Sequence, residues 1–334
     1  MLTVVKPGLL TTIQDLGRPG YAHLGVARSG ALDAPALARA NALVGNPPSA
    51  AGLETTLTGL TLRADADLTL AVTGATAPIT VDGQPVAFDA PVKVPAGSVI
   101  AVGSTRTGVR SYVAVAGGIA VPPVLGSRST DTLSGLGPAP LRAGTVLPVG
   151  TPPVGVRPVD PSPGSSGVTD IAAPAGPGEV TVRIRWGPRH DWFSESARTA
   201  LVEQPYVLTP KSNRIGARLA GPALTRAVTG ELPSEGIVLG AIQVPADGQP
   251  LIFLADHPTT GGYPIVAVVE RADLPLIAQA RPGTTIRFVP WAEDADGSAV
   301  TGRAVPEPFP ATGDGSPGPP VTADEGSTGG QSWT

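Results

Sequence analysis

From Leu53 to Val149 short runs of Val, Ile and Leu alternate with Asp/Gly turns, and this rhythm constrains the fold more than any other feature of the chain. The runs Leu57–Leu62, Leu68–Val72, Ile79–Val86, Val92–Val94, Val99–Val102 and Tyr112–Val115 read as strands. Val81-Asp82-Gly83-Gln84 is one of the turns, because Asp-Gly tolerates the positive φ of a tight hairpin. Short strands at regular spacing specify a β-barrel or sandwich. Ala116-Gly117-Gly118-Ile119 and Gly126-Ser127-Arg128-Ser129-Thr130 interrupt the rhythm. A Gly pair after a buried strand is either a tight corner or a place where a backbone or ligand comes close.

Around this block the chain divides into two halves. Residues 2–16 read as short strands broken at Pro7-Gly8, followed by a polar, glycine-punctuated loop through Asp33. Asp33 is placed to cap a helix that begins at Ala34-Pro35, carries Leu37, Ala40, Leu43 and Val44 as its apolar stripe, and stops at Gly45-Asn46-Pro47. Residues 151–178 are Pro/Gly/Ser-rich without periodicity and read as a linker between a domain at 1–150 and a second at 179–291. In the second, Val180–Trp186 alternates as a half-buried strand, Asp191 or Ser194 caps a helix through Glu203, and Tyr206–Thr209, Ile265–Val269 and Thr285–Val289 are strands. Leu274–Ala280 reads as a short helix, and 292–334, acidic and almost without large apolar residues, as a disordered tail. The expected fold is mainly β, with two β domains and a few short helices.

Composition narrows the function by exclusion. A net charge of −4 without basic runs argues against capture of nucleic acid or anionic membrane. There is no Cys, and His23, His190 and His257 are far apart, which leaves no disulfide, thiolate or His-rich metal motif. No apolar run approaches the roughly 20 residues of a membrane span, so a soluble, cytoplasmic protein is expected.

The chemistry-bearing residues concentrate in Ser234–Pro264 and in Ser212-Asn213-Arg214. Gly240–Pro245 and Pro250–Ala255 read as strands joined by Asp247-Gly248, and the second runs into Asp256-His257-Pro258-Thr259-Thr260-Gly261-Gly262. Arg214 offers a planar donor fork for a carboxylate or phosphate, and Asn213 and Gln243 can read an amide. Glu235 is the expected ion-pair partner of Arg214, in either a structural or a functional pair. Asp256 beside His257 admits proton transfer, although neighbours on a strand point to opposite faces. Thr260 belongs to a Thr-Thr-Gly-Gly turn that could hold an anion, but it lacks the Gly-Lys-Ser/Thr ending of a P-loop. The candidate site is therefore Asp256, His257 and Glu235 for catalysis, with Asn213, Arg214, Gln243 and Thr260 for substrate.

At these residues the chain resembles the biotin-dependent carboxyltransferase-like family, also called allophanate hydrolase subunit 2, which includes the C subunit of bacterial 5-oxoprolinases. The resemblance runs through Thr12–Tyr21, Ser29-Gly30, Asp33, Leu53-Glu54, Tyr112–Ile119, Gly126–Thr130, Ser212–Gly216 and most of Ser234–Tyr263. Leu32 stands where the family often has Met, and Pro138 and Thr145 alter a Gly-rich turn that usually ends in Gly-Asp. The resemblance implies two cyclophilin-like β-barrel domains and a subunit 1-like partner protein. In the oxoprolinase setting a LamB/YcsF-like protein joins, and ATP with Mg drives the opening of 5-oxo-L-proline to L-glutamate. In urea carboxylase a similar module moves a carboxyl group from carboxybiotin to urea. This sequence carries no biotinylation signal, so that alternative requires biotin on a separate carrier. A third alternative is a regulatory partner of a subunit 1-like kinase inhibitor.

Overall fold

The computed structural model of the protein describes residues 1–152 and 178–291; the expected linker, apart from its ends, and the expected tail lie outside the described residues. The first half supplies strands β1 (Leu2–Lys6), β2 (Leu10–Gln14), β3 (Gly52–Thr56), β4 (Leu60–Ala64), β5 (Leu68–Gly74) and β6 (Ile79–Val81). They are followed by β7 (Gln84–Val86), β8 (Val92–Val94), β9 (Val99–Val102), β10 (Arg110–Val115) and β11 (Val146–Leu147). One sheet has the order β11-β1-β4-β9-β6-β7 and the other β2-β3-β10-β5-β8. Leu2, Val4, Leu60, Leu62, Ile100 and Val102 of the first pack with Leu53, Leu70, Val72, Val113 and Val115 of the second in one apolar core.

β10 is buried along its whole length because both its faces are covered. Val113 and Val115 enter the core between the sheets, while Tyr112 and Ala114 pack with Leu37, Ala40 and Leu43 of helix α1 (Ala34–Leu43). That helix starts as its sequence dictates, with the Asp33 carboxylate accepting from the Ala36 N–H at 3.0 Å. The hairpin at Asp82-Gly83 also forms, both residues having positive φ (50° and 78°). Leu57–Leu62, by contrast, is not one strand. β3 ends at Thr56, Leu57 takes φ 56°, and the chain turns before β4. Gly8 sits against this turn, where a Cβ would come 2.3 Å from the Thr58 carbonyl oxygen.

The second half is a closed barrel of seven strands. Its strands, with a separate short pair, are β12 (Glu179–Trp186), β13 (Tyr206–Leu208), β14 (Gly216–Ala220), β15 (Glu235–Gly236), β16 (Ala241–Gln243), β17 (Leu251–Phe253), β18 (Thr260–Gly261), β19 (Ile265–Val269) and β20 (Thr285–Pro290). The barrel order is β12-β19-β16-β17-β14-β13-β20, and β20 closes it by running parallel to β12. Val182, Ile184, Leu219, Ile242, Ile252, Val266, Ile286 and Phe288 form its core, joined by Leu32 from the first half. Ser194, not Asp191, caps helix α2 (Glu195–Glu203), accepting from the Ala197 N–H at 3.1 Å. Helix α3 (Leu274–Gln279) packs at the base of the barrel core through Leu274, Ile277 and Ala278. β14 forms where no strand is expected, and β16 and β17 are shorter than expected. The fold is thus mainly β with barrel architecture and few short helices, as expected, and both halves belong to one unit, Met1–Trp291.

Candidate active site

Asn213 sets the direction of Arg214. Its Oδ1 accepts from the Ile215 and Gly216 N–H groups at 2.8 and 3.2 Å, a local turn that leaves Asn213 exposed and sends the Arg214 side chain inward. The backbone of 254–256 runs alongside, with the Leu254 and Asp256 N–H groups donating to the Ile215 and Arg214 carbonyls. Arg214 therefore meets Asp256 in a two-pronged contact, Nε to Oδ2 at 2.9 Å and Nη2 to Oδ1 at 3.0 Å. Its Nη1 donates to Glu54 Oε1 and its Nη2 also to the Gly30 carbonyl at 2.7 Å.

The two carboxylates are themselves saturated. Asp256 accepts from Ser29 Oγ at 2.7 Å, and from the N–H and Oγ1 of Thr132 at 3.0 and 2.7 Å. Glu54 Oε2 accepts from the Leu32 N–H and the Tyr112 hydroxyl, and Arg110 stands 3.6 Å from its Oε1. Tyr112 in turn accepts from the Asp33 N–H, and Asp33 Oδ2 accepts from Gln279 Nε2 at 2.8 Å. Gln279 Oε1 takes both the Val109 and Arg110 N–H groups at 3.0 Å. One buried polar network thus ties segments of the first half to the barrel.

Burial and charge act against each other here. Burial alone would push the Arg214 guanidinium down, but Glu54 and Asp256 outweigh it and hold it above its ordinary value. Burial would raise Asp256, and the Arg214 charge with its hydrogen bonds instead brings it below the usual carboxylate range. Asp33 and Tyr112 have no such full compensation, and burial raises both. His257 lies beside this network. Its Nδ1 is 2.7 Å from the Pro258 carbonyl, which makes Nδ1 the N–H donor and leaves the Nε2 lone pair available. Burial lowers its pKa, so the imidazole is neutral near pH 7.

Of the seven expected site residues, Arg214 and Asp256 meet, and His257 follows Asp256 without a hydrogen bond to it. The expected Arg214–Glu235 pair does not form. Glu235 lies on β15, half-buried, and pairs with Arg189 instead. The physical reason is placement: β15 and β18 make their own two-stranded ribbon, with Gly236 opposite Thr260, whereas Arg214 turns into the interior. Thr260 is exposed on that ribbon, and Gln243 is buried beneath it, donating from Nε2 to the Tyr263 carbonyl at 3.1 Å. Glu235, Gln243 and Thr260 therefore gather in a second polar cluster. Glu54, Ser29 and Thr132 are members of the Arg214 network that the chemistry of single residues does not single out.

The turn at Thr260-Gly261 is not shaped as a phosphate cradle, because a Cβ on Gly261 would lie 2.7 Å from Ile237 Cδ1 and 2.9 Å from Gln243 Nε2. Among the described residues no group of three or more His, Asp or Glu side chains could hold a metal ion. No helix of the described residues is long and apolar enough to cross a membrane.

This two-part β architecture with a closed barrel is that of a carboxyltransferase-type module. Residues 24–290 match the family described as carboxyltransferase domain, subdomain A and B, and the chain belongs to that family. It is 38% identical over 292 residues to the 5-oxoprolinase C subunit of Escherichia coli (strain K12), covering 86% of this chain and 91% of that one. It is 34% identical over 314 residues to urea amidolyase of Saccharomyces cerevisiae, covering 89% of this chain and 17% of that one. Among solved structures, TTHA0988 aligns with a TM-score of 0.74 and 39% identity over 86% of this chain, which spans 55% of that one. The K. lactis urea amidolyase aligns with a TM-score of 0.78 and 31% identity over 87% of this chain, which spans 19% of that one.

Proposed function

We propose that this chain is a subunit of an ATP-dependent 5-oxoprolinase, which hydrolyses 5-oxo-L-proline to L-glutamate in a cytoplasmic complex with subunit 1-like and LamB/YcsF-like proteins. The observation that carries this reading is similarity: over nearly the same share of this chain the identity is 38% to a 5-oxoprolinase C subunit and 34% to a urea amidolyase. A lactam is resonance-stabilised, so its opening needs the driving force that ATP with Mg supplies within the complex.

In this reading His257 is the proton-transfer group. A neutral imidazole with Nδ1 held by Pro258 presents Nε2 as a base, to take a proton from the water that attacks the lactam carbonyl. Asp256, together with Arg214 and Asn213, positions the loop that carries His257, their polar atoms being engaged within the protein. Glu235, Gln243 and Thr260, on and beneath the exposed ribbon, serve substrate recognition. Reconstitution tests the reading: the chain, its cognate partners, 5-oxoproline and Mg-ATP should yield glutamate, and no glutamate from a complex that assembles sinks it. A second reading, carboxyl transfer to urea or a related amide, is favoured by the family's description. It predicts turnover only with a biotinylated carrier protein.

A further inference from the structure

His257 is carried by a tight turn. Its N–H donates to the Leu254 carbonyl at 3.1 Å, which closes 254–257 as a β-turn with Ala255 and Asp256 at the centre and His257 as the last residue. Within the second half the imidazole is fixed by the Pro258 carbonyl, 2.7 Å from Nδ1, and by the Phe253 ring, 6.1 Å away between centroids. The turn itself is held from the first half. One buried residue there, Ser29, grips both central positions: its N–H donates to the Ala255 carbonyl at 3.1 Å, and its Oγ stands 2.7 Å from Asp256 Oδ1. The hydroxyl has one proton to give. Asp256 is charged and closer than the Thr130 carbonyl at 2.9 Å, so the carboxylate receives it.

Ser29 makes these two contacts from a strained backbone. Its φ is 55°, in the left-handed region that a residue with a Cβ adopts at a cost. Such strain persists where the surroundings demand one geometry, and here that geometry delivers both the N–H and the hydroxyl to the turn below His257. We propose that Ser29 is a positioning residue for His257: through its two contacts the first half sets the angle at which the turn presents the imidazole of the second half. This rests on the oxoprolinase reading, in which His257 is the base, and extends the site to a residue of the opposite half. Arg214 and Thr132 hold the same Asp256 carboxylate, so loss of the Ser29 hydroxyl loosens the turn without leaving that charge unpaired.

Two variants separate the hydroxyl from the strain. Ser29→Gly and Ser29→Ala both remove the hydroxyl and keep the N–H, but only Gly relaxes the left-handed φ, so Ser29→Gly should have the higher Tm. In the assembled complex both should lose kcat by the same factor, about tenfold or more, with KM for 5-oxoproline unchanged, because a misplaced base slows the chemical step and not binding. In the free chain the imidazole proton signal of His257, assigned by its loss in His257→Gln, should titrate closer to 6.5 in both variants than in the wild type. A looser turn admits water to a ring that burial keeps neutral, while the Asp256 and Asp131 charges that act on it are unchanged. Losses of kcat that follow the Tm values, a loss confined to KM, or a wild-type His257 titration in both variants would overturn the proposal. Its failure and that of the oxoprolinase reading are distinct. Glutamate formed at the wild-type rate by both variants removes Ser29 from the site and leaves that reading, whereas a moved His257 titration with no glutamate from an assembled wild-type complex removes the reading and leaves Ser29 as the residue that positions His257.

Discussion

Glu54 and Arg214, 160 residues apart in the chain, share a hydrogen bond between side chains that are 1% and 2% exposed. Each charge has a second counter-ion as well, Asp256 for Arg214 and Arg110 for Glu54. The contact is the centre of a network that reaches Ser29, Tyr112 and Thr132 in one half and Asp256 in the other.

Removing the cation should be costly. Arg214→Met leaves Glu54 and Asp256 buried without it, and unfolding in urea should report a loss of about 3–5 kcal/mol, the range for breaking a buried pair. Arg214→Lys keeps the charge, but one ammonium cannot serve both Asp256 oxygens, Glu54 and the Gly30 carbonyl, so about 1.5–3 kcal/mol should be lost. Wild-type stability in both variants would remove Arg214 from the structural role given to it here.

Gln279 is a second point of attachment. Its amide bonds Asp33, the Val109 N–H, and both the N–H and carbonyl of Arg110. Gln279→Leu is similar in size yet leaves three buried groups, the Val109 and Arg110 N–H and Asp33 Oδ2, short of a partner, each worth about 1–3 kcal/mol, while the Arg110 carbonyl keeps the Ala75 N–H. Destabilisation comparable to that of Arg214→Met is expected, and a loss below that of a single hydrogen bond would contradict it.

His257 should make stability depend on pH. Burial lowers its folded pKa below the ordinary 6.5, so as pH falls the unfolded chain takes up the proton first. The stabilising contribution is full above about pH 6.5 and declines as pH drops from there to the folded pKa. Unfolding free energies measured from pH 5 to 7 should fall less steeply in His257→Gln than in the wild type. If His257 is the base, the acidic limb of kcat/KM for the assembled complex should lie below pH 6.5 and vanish in the same variant.

The halves should also hold together without a covalent link. Co-expressed fragments 1–165 and 166–334 are expected to co-elute in size-exclusion chromatography, because Glu54 Oε1 bonds Arg214 and Asp33 Oδ2 bonds Gln279 across the halves. Independent elution of two folded fragments would show that the network contributes little.

Much of the fold is legible because its signals are local. The two-residue period of Val180–Trp186, the Asp-Gly hairpin at 82–83 and the cap at Asp33 each follow from a few neighbouring residues, and each is found. The break at Leu57 escapes because positive φ is expected of Gly, Asn or Asp, not of Leu. β14 escapes because Gly216 and Arg218 mask the inward alternation of Ala217 and Leu219. The site is harder for a different reason. A buried Arg announces that it needs a carboxylate, but Glu235 and Asp256 are both available in the following 42 residues, and only the strand pairing decides for Asp256. Glu54 carries a weak signal of its own, a charge beside Leu53 in the short strand Gly52–Thr56, yet nothing local names its partner.

The separation between Glu54 and Arg214 also sets an order of events during synthesis. At translation speeds of roughly 5–20 residues per second, Glu54 leaves the ribosome about 8–32 s before Arg214 does. Throughout that interval the nascent first half holds an acidic group on a strand destined for the interior, with its main counter-ion not yet made. The strand can complete its burial only once the barrel arrives, so the last stage of folding for the amino-terminal half waits on the carboxy-terminal half.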